Sequence, residues 1–136
     1  MATTVLLADD QRLIREGLRA LLETQEDMTV VGDAEDGVEA VDLARALLPD
    51  IVVMDVSMPR MDGIEATRRI VASLPGTRVV ALSIHADRRY VQSMAQAGAR
   101  GYLIKDRAHE EVVAAVRTVA EGGGHWPTDG SLAQSL

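Results

Sequence analysis

Residues 51–65 read IVVMDVSMPRMDGIE and place the pattern of a strand, a loop and a helix start next to one another. The apolar residues 51–54 form a run that is too continuous for a half-exposed strand, so they predict a strand covered on both faces. Asp55 ends this run. Asp62 and Glu65, three residues apart, are typical of a helix N-cap with its capping box. The stretch therefore predicts one βα unit with an acid at the junction.

The same alternation extends over most of the chain. Short apolar runs occur at residues 5–8, 29–31, 51–54, 79–82 and 102–104. A segment with apolar residues at helical spacing follows each run. Five strands that alternate with five helices over short connections predict a parallel sheet with right-handed crossovers and helices on both faces. We therefore predict a doubly wound α/β domain.

Candidate helix ends support this assignment. Asp36 begins a second capping box, and Asp87 is a candidate cap for the fourth helix. Pro49, Pro75 and Gly98 fall where helices should end, because proline and glycine are unfavourable inside a helix.

The chain beyond the fifth helix has a different composition. Residues 122–127 read GGGHWP, a breaker-rich segment, and the rest of the chain to residue 136 has no periodicity. We therefore predict a domain over residues 1–121 and a linker or tail over residues 122–136.

The composition is that of one globular domain, with 136 residues of which 47% are hydrophobic and 26% are charged. The net charge of −7 makes the chain a poor nucleic-acid binder by itself, because the phosphate backbone requires a basic face. The absence of cysteine excludes disulfides, a thiolate metal site and cysteine catalysis. No apolar run approaches the roughly 18 residues needed to span a bilayer. Residues 1–8 lack the pattern of a signal peptide, so we expect a cytoplasmic protein that does not contact membranes.

Polar side chains follow four of the five apolar runs. The first run leads into Asp9 and Asp10, the third into Asp55, the fourth into Ser83, and the fifth into Lys105, the only lysine of the chain. Ligands of doubly wound sheets bind beyond the carboxyl ends of the strands, so we expect these side chains to share one crevice. The second run offers nothing comparable, which suits an edge strand.

Three carboxylates in one crevice repel one another unless a cation lies among them. Hard oxygen ligands on loops favour Mg²⁺ over zinc. Together with Lys105, Mg²⁺ would neutralise the oxygens of a phosphoryl group, and a carboxylate can itself accept that group as an aspartyl phosphate. The residues also allow simpler interpretations, since Asp9 and Asp10 are typical of a helix cap and Ser83 of an ordinary strand end.

Other phosphate sites lack their motifs here. No G-x-G-x-x-G follows a strand and no G-x-x-x-x-G-K occurs, so neither a dinucleotide site nor a P-loop is indicated. Phosphatases with an aspartate nucleophile commonly carry a second aspartate two residues later, whereas Ser57 stands two residues after Asp55.

The acids, hydroxyl and lysine at the strand ends, with the loop MPRMDG at residues 58–63, resemble the receiver domain of bacterial two-component response regulators. The resemblance covers about residues 4–121. Residues 101–106, GYLIKD, are similar to the NarL/LuxR-type branch, whose members usually continue into a helix-turn-helix DNA-binding domain. The resemblance implies a flavodoxin-like sheet of five strands in the order 2-1-3-4-5.

The resemblance also implies roles for individual residues. Asp55 would accept a phosphoryl group from the phosphohistidine of a sensor histidine kinase. Asp10, Asp55 and the backbone carbonyl of Ser57 would ligate Mg²⁺, with Asp9 beside it. Lys105 would pair with the phosphoryl oxygens.

A switch follows from the same resemblance. Ser83 would turn toward the phosphoryl group, and Tyr102 would turn inward with it. The changed face of the fourth helix, fifth strand and fifth helix would be read by a DNA-binding output domain that controls transcription, or by a second copy of the chain. Such a chain is a switch rather than an enzyme. It takes phosphate from small donors and loses that phosphate slowly.

Three alternatives remain open. In the first, the chain is a single-domain receiver that acts through protein contacts. In the second, it is a small Mg²⁺-dependent phosphatase that uses Asp55 as a turnover nucleophile. A pseudo-receiver that ignores phosphate is disfavoured by the complete set of acids.

Overall fold

A computed structural model describes residues 2–127 of the chain. None of the helices in that range has the length and apolarity needed to cross a bilayer. Strands and helices alternate in chain order: β1 (Thr3–Ala8), α1 (Arg12–Leu22), β2 (Met28–Ala34), α2 (Gly37–Leu47), β3 (Ile51–Asp55), α3 (Gly63–Ser73), β4 (Arg78–Ser83), α4 (Arg88–Ala97), β5 (Gly101–Ile104), a 3₁₀ turn (Lys105–Arg107) and α5 (Ala108–Ala120).

The five strands form one parallel sheet in the order β2-β1-β3-β4-β5. This arrangement confirms the predicted doubly wound α/β class, the strand order and the edge position of β2. The strand order reverses between β1 and β3, since β2 lies on one side of this pair and β4 and β5 lie on the other. A crevice is expected beyond the carboxyl ends of strands at such a reversal.

The continuous apolar run of β3 is explained by two cores, one on each face of the sheet. Val52 and Met54 pack into the core under α2, α3 and α4. Ile51 and Val53 pack into the core under α1 and α5. All four side chains are fully buried, and burying one of this size contributes about 1.5–3 kcal/mol. Asp55 follows directly from this strand, so its position is as well fixed as the core itself.

The starts of α2, α3 and α4 confirm the capping predictions. Each helix begins after an aspartate whose carboxylate accepts a backbone hydrogen bond from the first turn. The pairs are Glu39 N–H to Asp36 (2.8 Å), Glu65 N–H to Asp62 (2.9 Å) and Arg89 N–H to Asp87 (2.8 Å). Helix α4 ends at Gly98, whose φ of 111° lies in the left-handed region that glycine adopts without strain.

The segment after α5 reaches the β5 edge of the sheet at His125. The Tyr102 N–H donates a 2.7 Å hydrogen bond to the His125 carbonyl, and a single parallel bridge joins His125 to Gly101. His125 Nε2 lies 3.1 Å from a Glu111 carboxylate oxygen on α5, and Trp126 packs against the core on the α4 side. The domain boundary after residue 121 stays a prediction, and residues 128–136 of the predicted tail lie outside the described residues.

Candidate functional site

The polar residues at the strand ends meet in one cleft at the carboxyl edge of the sheet. The cleft has a volume of about 140 Å³ and is lined by Asp10, Gln11, Asp55, Ser57, Ser83, Ile84 and Lys105. Asp9 contacts Lys105 directly and so belongs to the same group. The structure thus brings together every acid, the hydroxyl and the lysine that the strand ends single out.

The three carboxylates form a compact cluster. One oxygen from each of Asp9, Asp10 and Asp55 lies within 4.8 Å of the other two. Asp9 and Asp55 are 2% and 3% exposed, whereas Asp10 is exposed. Burial, followed by the charge of Asp9, raises the pKa of Asp55 to about 7, although Lys105 acts in the opposite direction. In the absence of a further cation, the cluster therefore retains a proton well above the usual range of an aspartate.

Lys105 lies between the acids. Its Nζ is 3.0 Å from Asp9 Oδ2 and 3.4 Å from Asp55 Oδ2, and it donates a 3.1 Å hydrogen bond to Gln11 Oε1. Burial alone would lower the pKa of Lys105, but the contact with Asp9 and the charge of Asp55 raise it above its ordinary value. Lys105 is therefore a permanent cation at the cleft.

The cluster fits a hard divalent cation. Asp9 Oδ2 is buried, and the one contact recorded for it within residues 2–127 is its 3.0 Å ion pair with Lys105. Asp10 offers an exposed carboxylate on the same cluster. Oxygen ligands of this kind suit Mg²⁺, and one ammonium does not balance three carboxylates. Asp9 is not the cap of α1. The N-cap residue is Gln11, and its side chain makes no capping hydrogen bond.

The loop after β3 is held close to Asp55. The Ser57 N–H donates a 3.2 Å hydrogen bond to Asp55 Oδ1. Gly63, at the start of α3, lies against the Asp55 carbonyl so closely that any Cβ would collide with it. Ser57 consequently lies on the wall of the cleft, which is the place the predicted metal ligand requires. The ligation by its carbonyl stays a prediction.

Ser83 and Tyr102 hold the loop between β4 and α4. Ser83 Oγ accepts a 3.0 Å hydrogen bond from the His85 N–H, and the Tyr102 hydroxyl donates a 2.7 Å hydrogen bond to the His85 carbonyl. The His85 ring stacks on Tyr90, with the ring centroids 4.0 Å apart. Tyr102 is 1% exposed, and burial raises its pKa. Its ring is thus already inward in this structure, and the predicted movement of Ser83 and Tyr102 stays a prediction.

Two residues near the site carry no signal that the strand-end pattern could detect. Gln11 binds Lys105, and its place next to Asp10 at the end of β1 is the only hint of this contact. Arg15 is buried behind the acids and binds the Asp9 carbonyl at 2.6 Å. Its spacing on α1 looks like that of a solvated charge, so only the folded chain reveals it.

Comparisons with known proteins agree with this geometry. The family model described as the response regulator receiver domain matches residues 5–117. Over 118 residues the chain is 48% identical to the uncharacterized transcriptional regulatory protein YxjL of Bacillus subtilis (strain 168), which covers 87% of this chain and 54% of that protein. The chain spans about half the length of the curated relatives it matches.

Two solved structures have the same fold. The signal receiver domain of the putative response regulator NarL from Mycobacterium tuberculosis superposes with a TM-score of 0.85 at 37% identity, over 89% of this chain and 98% of that one. A LuxR-family two-component response regulator from Aurantimonas sp. SI85-9A1 has a TM-score of 0.89 at 34% identity, over 98% of this chain and 94% of that one.

Proposed function

Because this chain belongs to the response regulator receiver domain family, we propose that it takes up a phosphoryl group on Asp55 and switches its surface in response. One observation carries this proposal. Asp55 lies buried at the end of β3, within 4.8 Å of two other carboxylates and 3.4 Å from the Lys105 ammonium. A phosphoryl group adds oxygens and negative charge, and the Lys105 ammonium offers the opposite charge beside one buried acceptor oxygen.

The transfer is a displacement at phosphorus. A carboxylate oxygen of Asp55 attacks the phosphorus of a phosphohistidine on a sensor histidine kinase, and a P–O bond forms as the P–N bond breaks. The imidazole leaves with the electron pair and takes up a proton. Lys105 neutralises the phosphoryl oxygens as they approach. Asp55 reacts only when it is deprotonated, and its pKa is raised to about 7, so a further cation beside it increases the reactive fraction near neutral pH.

Asp10, Asp55 and the Ser57 backbone carbonyl would hold Mg²⁺, with Asp9 beside it. When bound, Mg²⁺ supplies positive charge that offsets the carboxylates and the phosphoryl oxygens. The residues that would hold Mg²⁺ lie at the ends of β1 and β3, whereas Lys105 follows β5. The two sources of positive charge would therefore face the phosphoryl group from two sides. The three clustered carboxylates, faced by a single ammonium, support this assignment.

The switch acts through the β4–α4 loop. A phosphoryl oxygen accepts a hydrogen bond from the Ser83 hydroxyl. As Ser83 turns toward it, the 3.0 Å hydrogen bond that Oγ accepts from the His85 N–H is broken. His85 is also bound to Tyr102 and stacked on Tyr90, so its loop transmits the change to the face formed by α4, β5 and α5. New charge-assisted contacts that bias a two-state element are the general basis of such switches.

The output that we propose is transcription control. The relatives carry transcriptional regulatory names, and a helix-turn-helix DNA-binding domain in the full-length protein would read the changed surface. A second copy of the chain is the other proposed partner after phosphorylation. We place the protein in the cytoplasm, where its kinase presents the phosphohistidine.

A turnover experiment distinguishes this switch from a phosphatase. The protein is incubated with Mg²⁺ and either acetyl phosphate or para-nitrophenyl phosphate. A receiver takes up one phosphoryl group per chain from acetyl phosphate and releases no sustained nitrophenol. Continuous release of nitrophenol over many turnovers would contradict the proposal and favour a phosphatase with Asp55 as nucleophile.

A further inference from the structure

We propose that Arg15 on α1 is a positioning residue for the metal-binding acids, because it anchors the peptide that joins Asp9 to Asp10 and so presets the Asp10 carboxylate for a divalent cation. The inference rests on the proposed function, since it concerns the same acidic cluster. It assigns a role to a residue outside the cleft.

Arg15 is the only arginine that is buried within residues 2–127, with its side chain 7% exposed. A buried cation is costly unless it is paired. Arg15 has two acidic partners at the end of β2, with Nε 3.3 Å from Asp33 and Nη2 3.6 Å from Glu35. The remaining amino group, Nη1, donates a buried 2.6 Å hydrogen bond to the Asp9 carbonyl. The guanidinium therefore ties the β1–α1 turn to the neighbouring strand.

Asp9 is fixed on several sides. Its N–H donates to the Ala34 carbonyl at 3.1 Å, and its Oδ1 accepts from the Gln11 N–H at 2.7 Å. Its Oδ2 lies 3.0 Å from Lys105. Its carbonyl has one hydrogen-bond donor in the described part of the chain, which is Arg15.

Asp10 has no such support of its own. Across residues 2–127 its carboxylate makes no hydrogen bond or ion pair, and the residue is exposed. It nevertheless lies in the cluster whose oxygens are within 4.8 Å of one another. Its position is therefore set by the backbone, and the peptide that precedes it is the one held by Arg15. Without that hydrogen bond, the carbonyl of this peptide loses its donor and the peptide plane is held less firmly, so the third acid moves from its place.

The charge of Arg15 acts in the opposite direction to its geometry. A cation near a metal site repels the metal, so the charge of Arg15 taken alone weakens metal binding. Here Asp33 and Glu35 already balance the guanidinium, so the loss of geometry dominates. Removing the groups that orient metal ligands commonly costs 10–100-fold in metal affinity.

The test is a titration of metal-free protein with Mg²⁺ alone, in which calorimetry measures the heat of binding. Arg15→Met should raise the dissociation constant for Mg²⁺ by roughly tenfold. Arg19→Met is the matched control, because Arg19 also pairs with Asp33, at 3.7 Å, but does not contact Asp9. It should leave the dissociation constant within about twofold of wild type. If Arg15→Met lowers only the melting temperature and binds Mg²⁺ as wild type does, Arg15 is merely structural and the proposal is wrong.

A second variant covers the case in which Arg15→Met does not fold. Arg15→Lys keeps the charge and one donor but cannot span all three partners. It should weaken Mg²⁺ binding by about threefold, and an unchanged dissociation constant would overturn the proposal.

Phosphorylation by acetyl phosphate separates this inference from the proposed function. At saturating Mg²⁺, Arg15→Met should react close to the wild-type rate, while the Mg²⁺ concentration for half-maximal rate rises in proportion to the dissociation constant. Wild-type protein that binds Mg²⁺ but takes up no phosphoryl group would refute the proposed function alone, since the dissociation constants still decide the role of Arg15. Wild-type protein that binds no Mg²⁺ would refute both.

Discussion

Lys105 and Asp55 face each other across the cleft, with Nζ 3.4 Å from Oδ2. Asp55 ends β3 and Lys105 begins the turn after β5, and β4 lies between β3 and β5 in the sheet. The contact therefore exists only because the sheet brings these strand ends together. It places the one lysine of the chain against the acid that the account makes the phosphoacceptor.

Replacing Lys105 tests its part in the transfer. Lys105→Met should slow phosphorylation of the protein by acetyl phosphate by roughly 100-fold, because the developing charge loses its cation. Lys105→Arg should recover little, since the guanidinium fork differs in shape and reach from an ammonium. The initial rate of phosphoryl uptake, followed by intact mass, is the measurement. Arg107→Met is the control, because Arg107 is exposed and pairs with Glu111 on α5. Uptake by Lys105→Met at the wild-type rate would remove Lys105 from the site.

The raised pKa of Asp55 predicts a pH dependence of stability in metal-free protein. The carboxyl has a pKa of about 7 in the folded chain and about 3.9 when unfolded. Between these values the folded state binds more protons, so the free energy of unfolding should fall as the pH rises from about 4 to about 7. The total loss is on the order of 2–4 kcal/mol.

Asp55→Asn provides the comparison for this pH dependence. Denaturant unfolding in the presence of a chelator should show that the variant lacks most of the decline and is more stable than wild type at pH 8. Adding Mg²⁺ should raise the free energy of unfolding of the wild-type protein at that pH, because the ion binds only the folded chain. If the free energy of unfolding depends on pH in the same way for the two proteins, Asp55 is not a buried carboxyl with a raised pKa.

Tyr102→Phe removes the hydroxyl that holds the β4–α4 loop. The His85 carbonyl then loses its 2.7 Å donor, and the free energy of unfolding should decrease by about 1 kcal/mol. Amide hydrogen exchange at residues 84–87 should become faster. Tyr90→Phe is the control, since it keeps the ring stacked on His85, and it should change stability by less than about 0.5 kcal/mol. No change in exchange for Tyr102→Phe would show that the hydroxyl does not hold this loop.

Ending the chain early tests whether residues 122–127 belong to the folded unit. A chain that ends after Glu121 lacks the His125 carbonyl that accepts from Tyr102 and the Trp126 side chain that packs on the core. Its free energy of unfolding should be about 1–3 kcal/mol below that of a chain ended after Pro127. Equal stabilities would place the end of the folded domain at residue 121, as the sequence predicts.

The strands, the capped helices and the strand-end acids follow from the sequence because each has a local pattern. Val52 and Met54 are apolar since β3 is covered on both faces, and Asp36 and Asp62 cap their helices through contacts three residues away. Such contacts are encoded by neighbours in the chain. The convergence of Asp9, Asp55 and Lys105 follows in turn from the rule for parallel sheets.

The features that the sequence does not reveal depend on main-chain or long-range contacts. Arg15 binds a backbone carbonyl, which leaves no complementary side chain to recognise. His125 pairs with β5 through backbone groups, so a glycine-rich segment without periodicity still contacts the sheet. His85 and Tyr90 stack across the start of α4, and neither residue type signals this contact in isolation.

The most direct test of the account is the intact mass of wild-type protein and of Asp55→Asn after incubation with acetyl phosphate, with and without Mg²⁺. We predict one added phosphoryl group on wild-type protein in the presence of Mg²⁺, and no adduct on Asp55→Asn or on metal-free protein. An adduct of equal yield on Asp55→Asn, or no adduct on Mg²⁺-loaded wild-type protein, would contradict the claim that Asp55 is the phosphoacceptor.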